Sequence, residues 1–375
     1  LPGLVSEHFH QLRLLITSET PAPSTHALDK RTVETLLSIL ESIILHIKHT
    51  TDDVWVGLLK DLSQFLRIHG MPVIEASVKC ATVVVKRSGR TNWVKSLYSA
   101  LSNSLKDHIS KKSVLSAQNI IRFLYTLGML IKCHPLDAPP SFKERDFLTV
   151  DSIRNCRYGP HVEQFYGFVV HFWKEESRDV KTAAVLALGL VAPGSPGIFV
   201  RTVSEDILSS ALAPTSIEQL KAQAIKTINE FLNEEASKMA NDAQAAAAGS
   251  VKQSKANSMS SSAKVTPRKK SNAATAAVRT EDTESGANGE TDLENIVSEE
   301  SRPSSAAPAS TPATHTPTDT GLSNIIVELY IKRILSLGLD KSIAIRGAAL
   351  SLLEQILRLG LTHPAHCVPT LIALE

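Results

Sequence analysis

An all-α chain of stacked helices is what this sequence predicts, in the form of a HEAT/ARM-type α-solenoid interrupted by a long disordered insertion. Three observations predict it. Apolar residues recur at helical spacing through segments of roughly 15 to 20 residues, separated by short Gly, Pro and Ser punctuation. One amphipathic pattern, an apolar residue, then a base, then a small residue one turn later, repeats along the chain. And the composition changes abruptly at residues 243–321, dividing repeats at 1–242 from repeats at 322–375.

Residues 1–20 carry a helical pattern (Leu4, Val5, Phe9, Leu12, Leu15, Ile16) that stops at Pro21 and Pro23. Thr32 to His49 resumes it with Val33, Leu36, Leu37, Leu40, Ile43, Ile44 and Ile47. Asp52 and Asp53 stand where a cap belongs for a helix from Val54 to Ile68, which Gly70 ends. Pro72 opens the next helix, to about Lys86; its strand-like run Ala81–Lys86 is outvoted by helical flanks. Asn92–His108 and Ser113–His134 follow, the latter ending in a Pro135–Pro140 loop. Beyond it come Gly159–Glu176, Arg178–Ala192, a PGSPG turn, Ile198–Leu212, and Ser216 to about Asn241.

The repeat is carried by Asp179–Val191 and Ala344–Ile356. Val180 pairs with Ile345, Lys181 with Arg346, Ala184 with Ala349, and Ala187–Leu188 with Leu352–Leu353. Leu220, Lys221, Ala224 and Ile228 make a third copy. The small Ala admits a neighbouring helix, as the inner helix of a HEAT repeat requires. Lys341–Glu375 then predicts an amphipathic helix, a left-handed stop at Gly360, and a second helical segment restarted at Pro364.

Residues 243–321 are rich in Ala, Ser, Thr, Pro and Gly and poor in large apolar side chains, so burial cannot offset the entropy of ordering them. The first half is basic (Lys252, Lys255, Lys264, Arg268, Lys269, Lys270, Arg279) and the second acidic (Glu281, Asp282, Glu284, Glu290, Asp292, Glu294, Glu299, Glu300). A coil of about eighty residues spans on the order of 50 Å, enough to bridge adjacent repeats. Within it, Thr266 in the run TPRKK is a candidate phosphosite for a proline-directed kinase; a nuclear import signal or a merely solvating tract are the alternative readings of that run.

A formal net charge of +2 gives no global pull towards nucleic acid, so any basic surface must be local. No apolar run approaches the roughly 18 residues of a membrane span, and no membrane partner is expected. Four scattered cysteines without a CxxC pair fit reduced thiols in a cytosolic or nuclear protein. The start at Leu1 and the end in mid-pattern predict a piece of a longer protein. His363, His366 and Cys367 are soft-metal ligand types, but no fourth ligand is near, and a buried Cys367 is the plainer reading. Cys133, His134 and Asp137 suggest a nucleophile pair, but sequence neighbours on a helix do not face each other. No GxSxG, Walker A, HExxH or GxGxxG run is present. No catalytic residue, cofactor or metal is assigned.

Charge asymmetry is the sharper signal. Between Glu75 and Asp137 ten bases stand against one acid, Asp107. Lys86, Arg87, Arg90, Lys95, Lys106, Lys111 and Lys112 are the candidate DNA-binding residues. They fall at or near inter-helix turns, and stacking is expected to bring successive turns onto one edge, making a ridge that neutralises phosphates without reading sequence. A solvated edge with no ligand is the alternative. Trp93 and Tyr98 are expected to pack in the core.

The closing run, ILRLGLTHPAHCVPTLIALE, resembles the Nipped-B/adherin family, the HEAT-repeat subunit of the cohesin loader. That family has a comparable GLVHPxQCVPxLIALET segment. Gly360, Leu361, His363, Pro364, Cys367, Val368, Pro369 and the stretch Leu371–Glu375 match, while Thr362 and His366 depart. NWVKSLYSALSNSLKD and SVLSAQNIIRFLYTLGMLIK are similar to the family's preceding repeats; the resemblance does not extend to residues 243–321. The resemblance implies a hook-shaped nuclear scaffold on chromatin, itself no enzyme. It would contact the cohesin complex (ATPase heads and kleisin) and DNA without sequence preference. It would also promote cohesin loading, stimulate cohesin's ATPase, and support sister chromatid cohesion and gene regulation. The resemblance further implies a TPR-type loader partner, bound through an N-terminal region expected to lie outside this stretch. Another HEAT scaffold, of karyopherin or phosphatase-scaffold type, or the regulatory solenoid of a larger enzyme, also fits the residues.

Overall fold

The computed structural model describes residues 7, 26–46, 52–137, 154, 156–258 and 320–373. Among them there is no strand. The helices are α1 (His26–His46), α2 (Asp52–Ile68), α3 (Met71–Ser88), α4 (Thr91–Ile109), α5 (Ala117–Cys133) and α6 (Pro160–Trp173). They continue with α7 (Arg178–Val191), α8 (Thr202–Ala211), α9 (Glu218–Ser258), α10 (Thr320–Leu337), α11 (Ile343–Arg358) and α12 (Val368–Ile372).

Two rows build the solenoid. In the odd row α1 packs on α3, α3 on α5 and α5 on α7. Here α9 joins α7 where Thr227 meets Gly189, and the start of α11 is tied to α9 by a Lys221–Asp340 ion pair of 2.8 Å. In the even row α8 lies against α6 and α10. Four even helices form hairpins with the odd helix that follows, in α2/α3, α4/α5, α6/α7 and α10/α11. Like rows run parallel. Glu75 and Thr82 of α3 meet Tyr125 and His134 along α5, and Tyr98 and His108 of α4 meet His161 and Phe172 along α6.

The three sequence copies fall on α7, α9 and α11, all in the odd row. Their matched positions are buried: Val180, Ala184 and Leu188; Leu220, Ala224 and Ile228; Ile345, Ala349 and Leu353. Small residues set the row spacing. A Cβ on Gly189 would lie 2.8 Å from Cγ2 of Thr227, and one on Gly128 would lie 2.9 Å from Cδ1 of Leu190. The helices approach to where only hydrogen fits.

Local chemistry sets the boundaries. Gly89 and Gly360 take φ of 69° and 68°, ending α3 and α11 as left-handed caps. The helix expected from Ser113 begins at Ala117, because the Ser116 hydroxyl caps it by accepting from the Asn119 N–H at 3.3 Å. The helix expected over Ile198–Leu212 is split at Arg201 into a 3-10 turn, Pro196–Val200, and α8. After Pro364 the chain makes only a 3-10 turn, Pro364–His366, and the short α12.

Leu1–Asp242 and Pro317–Glu375 form one compact unit, and Ala243–Thr316 a second. Of the second, residues 243–258 are described. They are the end of α9, which runs past residue 242 into an alanine-rich stretch of high helix propensity. The disorder expected over the rest of the insertion, Thr266 within it, and all but Glu7 of the first expected helix lie outside the described residues.

Candidate nucleic-acid interface

α3 ends in Lys86, Arg87 and Ser88 before Gly89 turns the chain, which places three of the predicted bases around one tight connection. Two of them are anchored. The Arg87 guanidinium donates to the Leu45 carbonyl in the last turn of α1, and Arg90 pairs with Asp52 at 2.8 Å at the start of α2. Both span neighbouring repeats, and Arg87 also satisfies a carbonyl left open at a helix end. Lys86 is exposed and forms no ion pair with a described residue.

Along α4 the exposed Lys95 and Lys106 are eleven residues apart. At 100° and 1.5 Å per residue they lie within about 20° of each other on one face, about 16 Å apart. The buried face, through Val94, Tyr98, Ser102 and Leu105, is centred only about 75° around the helix from the two lysines, and the Tyr98 hydroxyl donates to the His161 carbonyl at 2.7 Å. Burial pushes the Tyr98 phenol pKa far up, so it stays a neutral donor. Trp93 is half-buried against the core. Both aromatics pack.

The connection from α4 to α5 carries the densest positive charge. Lys111 has φ of 58°, the one positive value outside glycine among the described residues. Its neighbours are fixed by the Asp107 carbonyl, which accepts from the Lys112 N–H at 2.8 Å and the Ser113 N–H at 3.3 Å. The Leu115 N–H donates to Nδ1 of His108 at 3.1 Å, and the His108 ring stacks on Phe172. Lys106, Lys111 and Lys112 are exposed and pair with no described acid. Nearby, Arg122 of α5 donates to the Arg67 carbonyl, bringing the exposed Arg67 to the same edge. Arg67 escapes a sequence count because it belongs to a different helix from the basic run.

The expectation of a single edge is corrected here. The Arg87–Arg90 turn and the Lys111–Lys112 turn sit at opposite ends of α4, which spans about 28 Å. Successive turns of a helical hairpin stack alternate between edges; only every second turn shares one. The predicted bases therefore divide into one edge with the anchored Arg87 and Arg90 and the exposed Lys86, a second edge with Lys106, Lys111 and Lys112, which pair with no described acid, and Lys95 on the α4 face between them.

The other constellations have structural partners. His134 Nε2 lies 3.1 Å from Thr82 Oγ1, while the Thr82 hydroxyl donates to the Val78 carbonyl at 2.8 Å. His134 must then be the donor in that contact. Burial, with Lys86 nearby, lowers its pKa to about 4. Burial also raises the Cys133 thiol. Asp137 accepts from the backbone N–H groups of His161 and Val162, both at 3.1 Å, and so caps α6. These three residues line a cleft of about 430 Å³ with Tyr158 and Ser195, in which His134 is committed to Thr82, Asp137 to the start of α6, and the Tyr158 hydroxyl to the Gly197 N–H. At the other end, His363 Nδ1 accepts from the Ala365 N–H at 3.2 Å, and Cys367 is buried with its thiol pKa raised by burial. No group of His, Cys, Asp or Glu among the described residues is arranged to hold a metal.

Residues 323–375, which include α11 and α12, match the family described as "Sister chromatid cohesion C-terminus". Across its whole length the chain is similar to Nipped-B-like protein B of Danio rerio, 22% identical over 385 residues that cover 100% of this chain and 11% of that protein. The Nipped-B-like proteins of Mus musculus and Homo sapiens are each 20% identical over 383 residues, with the same 100% and 11% coverage. The chain spans about a tenth of the length of these curated relatives.

Proposed function

We propose, for a chain related to the Nipped-B-like proteins along its whole length, that it is a segment of a nuclear cohesin-loading scaffold. In this reading the full protein holds cohesin and DNA together, promotes loading onto chromatin and stimulates cohesin's ATPase, with no catalytic group of its own. The observation that carries the proposal is the match of residues 323–375 to a sister chromatid cohesion family, on helices that continue the same two-row stack as the rest of the chain. A solenoid suits the task because its stacked rows offer extended surfaces for several partners at once.

DNA is engaged through backbone charge at Lys106, Lys111 and Lys112, extended along α4 by Lys95 and flanked by Arg67. Arg87 and Arg90 chiefly join repeats, and Lys86 contributes long-range charge. Such contacts release counterions, so affinity should fall steeply with salt and show little dependence on base sequence. The test is the ATPase rate of purified cohesin with the full-length protein, with and without DNA. Stimulation that grows with DNA supports the reading; an unchanged rate under both conditions rejects it.

A further inference from the structure

We propose that Ser113 is a phosphoacceptor for a kinase that selects serine preceded by basic residues, and that phosphate there switches off the Lys111–Lys112 polyanion contact. The acceptor stands on its own chemistry; the switch rests on the DNA-binding reading above.

A kinase takes its acceptor as an extended, accessible strand. The connection 110–116 is accessible: it lies outside both helices, Ser110, Lys111, Lys112 and Ser113 are all exposed and Val114 is 93% exposed, and the turn at 110–113, held by the Asp107 carbonyl, opens for the acceptor to extend. The order is Lys111-Lys112-Ser113-Val114, two bases before the hydroxyl and an apolar residue after it. The Ser113 hydroxyl makes no hydrogen bond to a described residue, so modification breaks no side-chain contact there. Other serines and threonines beside bases are less suited. Ser88 lies within α3 with its hydroxyl buried, and Thr91, next to Arg90, is already in the first turn of α4. Ser110 caps the C-terminal end of α4, where the helix dipole disfavours an added anion. Ser113 stands just before the N-terminus of α5, where the dipole is favourable.

The step is ordinary phosphoryl transfer. Ser113 Oγ attacks the γ-phosphorus of ATP, the new O–P bond replaces the bond to ADP, and the hydroxyl proton passes to the kinase base. The product carries close to two negative charges and three acceptor oxygens beside Lys111 and Lys112. Both lysines then have an intramolecular counter-ion and no longer release ions on meeting a duplex.

The test treats the whole chain with the catalytic subunit of a basophilic kinase and ATP, maps phosphate by mass spectrometry, and titrates a DNA duplex with modified and unmodified protein. Phosphate should appear at Ser113 and be lost from S113A, which should bind DNA like the parent. Phosphorylated parent should bind about tenfold more weakly at ~0.1 M salt, with the slope of log affinity against log salt shallower by about two. Phosphate elsewhere but not on Ser113 overturns the acceptor. Phosphate on Ser113 with unchanged affinity and slope overturns the switch. If unmodified protein does not bind DNA, the binding reading and the switch both fall, while the map still decides the acceptor.

Discussion

Lys221 and Asp340 lie 119 residues apart in sequence and 2.8 Å apart in space, joining the helix before the insertion to the turn that opens α11. Lys221 also donates to the Pro214 carbonyl at 2.8 Å, and Asp340 accepts from the Ser342 N–H at 2.9 Å. The Arg346 guanidinium completes the set by donating to the Asp340 carbonyl at 2.8 Å. The side chains of the pair are 7% and 12% exposed, so this is a largely enclosed clasp.

Removing one partner leaves the other charge poorly solvated. Lys221→Met and Asp340→Asn should each cost about 2–3 kcal/mol in urea unfolding, below the loss for a fully buried pair because Asp340 sits at an edge. The double variant should recover part of that loss. Lys221 and the Ser342 N–H hold the Asp340 carboxyl below its ordinary pKa. Since the folded value is depressed, this stabilisation is present above about pH 4 and disappears as pH falls through the folded pKa. If each single variant unfolds like the parent at neutral pH, the clasp does not join the repeats.

A second prediction concerns the contact of α7 with α9. Gly189→Ala places a methyl 2.8 Å from Cγ2 and 3.1 Å from Oγ1 of Thr227, inside van der Waals contact with a residue that is itself buried. The expected loss is about 1–3 kcal/mol. Thr227→Ala removes both atoms, so Gly189→Ala should cost less in that background. Additive losses in a double-mutant cycle would mean that the two helices are not in the contact described.

His134 supplies a third prediction, a pH dependence of stability. Its folded pKa of about 4 lies below the ordinary value of about 6.5, so the unfolded chain binds the extra proton between those limits. Stability is complete above about pH 6.5, falls through the interval, and has lost up to about 3 kcal/mol by pH 4. His134→Gln keeps an N–H donor for Thr82 but cannot titrate. Urea midpoints measured at pH 7 and pH 5 should differ more for the parent than for this variant; equal differences would remove His134 as the cause.

Much of this architecture was legible in the sequence because packing of odd-row helices needs a repeated pattern. Val180, Ala184 and Leu188 recur as Ile345, Ala349 and Leu353, and all six are buried. The base that follows the first residue in each copy was also legible, but its task was not. Lys181 lies over the Trp173 ring at 5.7 Å, Lys221 reaches Asp340, and Arg346 binds the Asp340 carbonyl. Trp173 lies on the hairpin partner α6, and Asp340 lies in the turn before α11, which is local to Arg346 but in the next repeat for Lys221; periodicity within one helix reports none of these. The basic residues were visible too, yet their division was hidden: whether a turn arginine meets a carboxylate 38 residues away, as Arg90 does with Asp52, depends on how hairpins stack.

That division leads to the last prediction. Changing Lys106, Lys111 and Lys112 to Glu alters exposed side chains with no described ionic partner, so the melting temperature should stay within a few degrees of the parent. Affinity for a DNA duplex should fall at least tenfold at ~0.1 M salt, with a shallower salt slope. Changing Arg87 and Arg90 to Glu should do the reverse. Loss of the Leu45 carbonyl contact and the Asp52 pair, with a new repulsion against Asp52, should lower stability by about 1–2 kcal/mol while moving duplex affinity less. The two variants, measured by thermal melting and by duplex titration over a salt series, separate the roles. If both lose affinity equally with no change in melting, the two edges act as one binding surface and the assignment of Arg87 and Arg90 to inter-repeat contacts is wrong.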